Sequence, residues 1–270
     1  MLIRTGYDIR FEADAPVPMM ALLSVHPSRL RDLKTTHRII TTPDIPVYDF
    51  LDPFGNTCTR LVVPAGGLDI SCDLLVEDTG EPDAIAEDAE QWAIEDLPHE
   101  VLPFLLASRY CETERLADTA WQLFSDIAPG WKRVKAIVEF THNHIEFGYH
   151  HARPSKTAWD AHQEQKGVCR DFAHLAVTLC RCMNIPARYC TGYLGDIGIP
   201  PVDAPMDFSA WFEVFLGGRW YTFDARHNRP RIGRILMARG RDATDTALTT
   251  AFGPAQLAKF EVHTDEVVDG

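Results

Sequence analysis

The sequence predicts an α+β protein in which a β-sandwich-like unit is followed by helices and then by an antiparallel sheet. Three observations predict it. Residues 1–76 form short apolar runs separated by Pro16, Pro18, Pro43, Pro46, Pro53 and Pro64, which suit turns and strand edges rather than helix interiors. From near residue 100 the apolar positions recur at helical spacing. Beyond Pro186 the runs become strand-like again, with Gly217-Gly218 as a hairpin turn. The expected division is an N-terminal β domain with an acidic linker at 1–100, and an α+β domain at 101–270.

Each element has a local reason. Residues 7–12 alternate. Residues 47–51 and 57–63 flank Asp52-Pro53-Phe54-Gly55-Asn56, a good hairpin loop, and residues 68–76 make a further strand. Leu116, Ala120, Leu123, Phe124 and Ile127 mark a helix that Pro129-Gly130 breaks. Trp131, Val134, Ile137, Val138 and Thr141 begin the next. Ser155 or Thr157 can cap a short helix over 158–163. Phe172, Leu175, Ala176, Leu179 and Met183 form one stripe of a helix that starts at Cys169, with Asn184 to close it and Pro186 to forbid its continuation. Strands follow at 188–194, 210–216 and 219–224.

With 270 residues, 46% of them hydrophobic, the chain can build cores for one large or two ordinary domains. The net charge of −13 argues against nucleic acid or an anionic membrane as a partner, since both require excess Lys and Arg. Residues 77–100 hold ten Asp and Glu and no Lys or Arg, which reads as a solvated linker. No apolar run resembles a signal peptide or a membrane span, so a soluble, cytoplasmic protein is expected. The odd count of seven cysteines, without dense pairing, suits reduced thiols. Cys58, Cys72, Cys111 and Cys190 read as core residues, and Cys180-Arg181-Cys182 fits neither a C-x-x-C nor a zinc pattern. The sequence leaves homo-oligomer formation open.

The chemistry centres on Gly167-Val168-Cys169-Arg170-Asp171-Phe172-Ala173-His174. This places a thiol at a helix start, where partial positive charge favours thiolate and lowers its pKa from about 8.5. A cysteine hydrolase also needs a histidine to shuttle the proton and a carboxylate or amide to orient that histidine. The strand at 210–216 and its neighbour, ending at Asp224, are in the right order to supply them.

The chain resembles the transglutaminase-like superfamily of cysteine enzymes, and most closely its bacterial members with an N-terminal β domain. The matching residues are Gly167 to Ala173, Asn184-Ile185-Pro186-Ala187-Arg188-Tyr189, Thr191-Gly192-Tyr193, Ala210 to Leu216 and Trp220-Tyr221-Thr222-Phe223-Asp224, with Asn143-His144-Ile145 and Phe147 upstream. The resemblance implies a papain-like site with Cys169 as nucleophile and Asp224 as orienting carboxylate. It also implies a histidine before the Ala-Trp pair, where this chain has Ser209. A serine hydroxyl can hydrogen-bond but cannot take the thiol proton at neutral pH.

Three repairs follow. A histidine from elsewhere enters the site, His227 being three residues past Asp224; or the cysteine works without a general base; or the site is degenerate and only binds. The expected substrate is a peptide or small amide, with hydrolysis favoured over crosslinking. Candidate catalytic residues are Cys169, Ser209 and Asp224. Candidate substrate-contacting residues are Arg170, Asp171, Asn143, Trp211 and His227. His142, His144, His150 and His151 offer an alternative metal-dependent activity, but no strict ligand spacing supports it, and no metal or cofactor is expected. Arg226, Arg231 and Arg234 form a basic cluster able to bind a carboxylate or phosphate, or to pair with the acidic remainder.

Overall fold

The computed structural model describes residues 1–200 and 206–268. In chain order its elements begin with β1 (Leu2–Glu12), β2 (Val17–Ala21), β3 (Ile40–Thr42), β4 (Tyr48–Leu51), β5 (Thr57–Val63) and β6 (Leu68–Glu77). Then come α1 (Thr113–Phe124), α2 (Trp131–His144), β7 (Glu146–Phe147), α3 (Ala158–Glu164), β8 (Lys166–Gly167) and α4 (Cys169–Cys182). The chain finishes with β9 (Ala187–Tyr193), β10 (Ser209–Leu216), β11 (Arg219–Phe223), β12 (Ile235–Gly240), β13 (Thr249–Ala251) and β14 (Gln256–Glu266).

Two four-stranded antiparallel sheets, ordered β14-β1-β6-β3 and β13-β2-β5-β4, share one core. Their inward positions alternate as expected: Ile3, Tyr7, Ile9 and Phe11 from β1 meet Val17, Met19, Leu61 and Val63 from the other sheet. The 52–56 loop forms because the Asp52 carboxylate accepts the Phe54 and Asn56 N–H groups and the Asn56 side-chain amide. Both sheets need strands from the other end of the chain. β13 pairs with β2, and β14 runs the length of β1 from Ile3↔Glu266 to Glu12↔Gln256. A cut at residue 100 therefore does not separate the strand pairs, and the β unit is assembled from both ends of the sequence.

The third sheet, β11-β10-β9-β12, is also antiparallel and carries α4 against it. α4 is nearly all buried, and α1, α2 and α3 cover its other faces through Leu116, Ala120, Val134, Ile137 and Ala161. Thr157 caps α3 in a reciprocal box with Asp160. Asn184, at φ 60°, ends α4 just before Pro186.

The acidic stretch departs from a solvated linker. It lies along the second unit: Asp83 pairs with Arg234, Ala89 O accepts Trp131 N–H, Gln91 donates to Met183 O, and Trp92 packs edge-on against Phe215. The aromatic ring and the amide give this segment partners that a count of its charges does not reveal. No described helix is long and apolar enough to cross a membrane.

Candidate active site

Cys169 begins α4 because of its neighbours. Asp171, in the first turn, reaches back to accept the Val168 N–H at 2.9 Å, which satisfies a donor that the helix start leaves open. That bond folds the carboxylate over Gly167, where a Cβ would come within 2.6 Å of Asp171 Oδ2. Only glycine fits there, so the Gly-Val-Cys-Arg-Asp run is one local unit that fixes where the helix starts. Asp171 is fully buried in this role.

Opposite the thiol lies the start of β10. β11 pairs with β10 only as far as Phe212↔Phe223, so Ser209, Ala210 and Trp211 extend past its end. The freed Ala210 N–H donates toward the Cys169 sulfur. Ser209 is buried, and its Oγ has no hydrogen-bond partner among the described residues. Cys169, Ser209, Asp207, Tyr149, Arg226 and His227 line one cleft of about 60 Å³.

His227 reaches this cleft through a tight turn. Asp224 O accepts the Asn228 N–H at 2.8 Å and Asp224 Oδ1 accepts the His227 N–H at 3.0 Å, with Asn228 left-handed at φ 49°. The turn swings the imidazole back so that Nδ1 donates to Asp224 Oδ2 at 2.8 Å. Arg234 Nη2 donates to the same oxygen at 2.9 Å. Burial alone would raise the Asp224 carboxyl, but Arg234 and His227 outweigh it and hold the group well below the usual carboxylate range. An ionised Asp224 can only accept, so His227 Nδ1 keeps its hydrogen, and in the neutral ring Nε2 is the nitrogen free to accept a proton.

The thiol differs from the expectation of a lowered pKa. Burial pushes it up to about 11, Asp207 adds to the rise, and Arg226 and the Ala210 N–H oppose it. Desolvation of the sulfur exceeds those opposing effects, and the resting group is a thiol.

Of the other candidate substrate contacts, none besides His227 lines the cleft. Arg170 turns away to donate to Arg153 O at 2.5 Å and lies over the Tyr110 ring. Asp171 is spent on the helix start. Asn143 donates to Glu139 O along its own helix. Trp211 is buried beneath Arg234, at 5.0 Å, and faces a different cavity. Asp224 sits behind His227. The histidines of 142–151 go separate ways: His142 Nδ1 donates to Arg226 O at 2.9 Å, His144 stacks on His162 and donates to its carbonyl, and His150 packs on His151. Among the described residues no group of three or more His, Cys, Asp or Glu is placed to hold a metal ion. Reading the sequence alone missed Asp207 and Tyr149 in the cleft and Arg234 as the partner of Asp224. Asp207, two residues before Ser209, was the one with a visible signal.

Residues 119–225 match the family described as the transglutaminase-like superfamily. A crystal structure from Cytophaga hutchinsonii, described as "a Putative Cysteine Protease", is 30% identical with a TM-score of 0.85, covering 100% of this chain and 92% of that one. An uncharacterised protein of Mycobacterium leprae (strain TN) is 26% identical over 234 residues, 82% of this chain and 81% of its own.

Proposed function

The chain belongs to the transglutaminase-like superfamily, and from that premise we propose that it is a cytoplasmic cysteine hydrolase of peptide or small amide bonds. In this reading Cys169 is the nucleophile, and the Asp224–His227 pair replaces the histidine missing at position 209. The observation that carries it is the 2.8 Å bond from His227 Nδ1 to Asp224, made by an imidazole that lines the same cleft as Cys169. The likeness to a protein described as a cysteine protease supports an amide bond as the target. The seven free cysteines suit a reducing compartment.

A thiol with a pKa of about 11 must lose its proton during the reaction rather than before it. His227 Nε2 takes the thiol proton as sulfur bonds to the substrate carbonyl carbon and the carbonyl π pair moves to oxygen. N–H groups at the start of α4, which have no acceptor within the helix, stabilise that oxyanion. The carbon–nitrogen bond then breaks, and the imidazolium returns its proton to the departing amine. Water attacks the thioester, His227 takes a proton from it, and the carboxylic acid leaves as Cys169 recovers its hydrogen. Ser209 Oγ, buried without a partner among the described residues, hydrogen-bonds the substrate or the attacking water.

The second reading is a binding protein without turnover, favoured by the raised thiol pKa together with Ser209. Amine release from a library of peptide amides separates the two. Cys169→Ser is expected to abolish turnover, and His227→Gln to lower it by about 10²–10⁴-fold. Peptide binding without turnover by the wild type would select the binding protein. Turnover indifferent to His227→Gln would remove His227 from the mechanism.

A further inference from the structure

A second cavity, of about 310 Å³, is lined by Arg29, Arg231, Arg234, Arg239 and Trp211. Asp78, Glu81, Asp83 and Glu213 also line it. Three of these carboxylates already have an arginine: Asp78 meets Arg29 at 3.1 Å, Asp83 meets Arg234 at 2.9 Å, and Glu213 meets Arg188 at 2.5 Å. Glu81 is exposed to solvent. Two further guanidinium groups line it. The Arg231 side chain donates to the Gly195 carbonyl within reach of the Asp224 and Asp196 charges, and Arg239, with Glu213 near it, makes no side-chain hydrogen bond or ion pair among the described residues. Arg231 is 3% exposed and Arg234, which also meets Asp224 at 2.9 Å, is 8% exposed, yet Nε of the first and Nη1 of the second are buried without a partner among the described residues.

Burying guanidinium donors unpaired is costly, and an oxyanion is the group whose geometry answers them. We propose that this cavity binds a small oxyanion through Arg231, Arg234 and Arg239. Burial and a cationic neighbour push the Arg231 and Arg239 groups down, Arg234 acting on the first and Arg188 on the second, against the opposing pull of Asp224 and Asp196 on Arg231 and of Glu213 on Arg239. The chemistry is shared by a free phosphate and by the carboxylate of a small acid.

The test is calorimetric titration of the whole protein with inorganic phosphate and, separately, with acetate. One site per chain is expected for at least one of them, weakened at least tenfold by Arg239→Gln and partly restored by Arg239→Lys. Tighter phosphate binding assigns the site to phosphate, and tighter acetate binding assigns it to a carboxylate. Because Arg239→Gln carries a folding risk, a second measurement keeps arginine in place: phosphate or acetate should change tryptophan emission in the wild type but not in Trp211→Phe. Absence of saturable binding by both anions, affinity unchanged in Arg239→Gln, or an emission change that persists in Trp211→Phe would overturn the proposal.

Discussion

At the residue scale the proposed chemistry turns on Ser209 and His227. Ser209 occupies the cleft beside Cys169 but cannot carry a proton there, whereas His227 has the carboxylate partner that an acid–base imidazole needs. The Asp224 oxygen that would orient a histidine at position 209 is already shared by His227 and Arg234. Ser209→His alone therefore adds an imidazole with no free orienting oxygen. In a His227→Gln background the same substitution has a carboxylate available, and peptide-amide turnover should recover at least tenfold over His227→Gln alone. A single Ser209→His variant that outperforms the wild type, with no recovery in the double variant, would overturn the reading that His227 and position 209 compete for Asp224. Cys169 and Asp224 are legible in the sequence because each sits at the end of an element with a strong pattern. The pairing of Asp224 with His227 is not, because it depends on a turn closed by one carbonyl and a left-handed Asn228.

At the scale of elements, α4 does two jobs with opposite electrostatic results. Its start presents Cys169, and its buried body carries His174, stacked between Tyr110 and Tyr189 with Nε2 accepting the Ala243 N–H. Burial, with Arg170 and Arg181 nearby, lowers the His174 pKa to about 3 against a weaker pull from Asp242. The unfolded chain, with histidine near 6.5, binds a proton that the folded protein refuses. Stability from this group is thus complete above about pH 6.5 and is lost as pH falls from there toward 3. Its slope approaches about 1.4 kcal/mol per pH unit. His26, lowered to about 4 mainly by burial, acts in the same direction. Urea unfolding from pH 7.5 down to 4.5 should show His174→Gln flattening this decline by about one proton while leaving the His26 share. An unchanged slope would mean that His174 takes up its proton without cost to the fold. The helix itself was legible from its apolar stripe and from Asn184-Pro186. The role of Asp171 was not, because a first-turn acid looks the same whether it meets substrate or its own backbone.

The whole molecule joins its two halves beside the Cys169 cleft. Strands β1, β4, β5 and β6 were readable from alternation and turn chemistry, but the short β2 and β3 were not, and β12, β13 and β14 find partners far away in sequence, which local periodicity cannot reveal. The consequence lies at Phe208, between Asp207 and Ser209. Its ring is 5% exposed and packs against Tyr7 of β1, Tyr193 of β9 and Phe260 of β14. A side chain from the edge of the cleft is thus held by the first strand and the last. Phe208→Ala should cost about 3–5 kcal/mol by opening a cavity in the shared core. It should also slow amide turnover by more than tenfold, because the backbone that presents Ser209 and Asp207 loses its anchor. Phe208→Leu retains most of the apolar volume and should recover the greater part of both. Urea unfolding and turnover measured on the same samples separate the effects. A Phe208→Ala protein that is destabilised yet fully active at low temperature would mean that the sandwich holds the fold together without positioning the site.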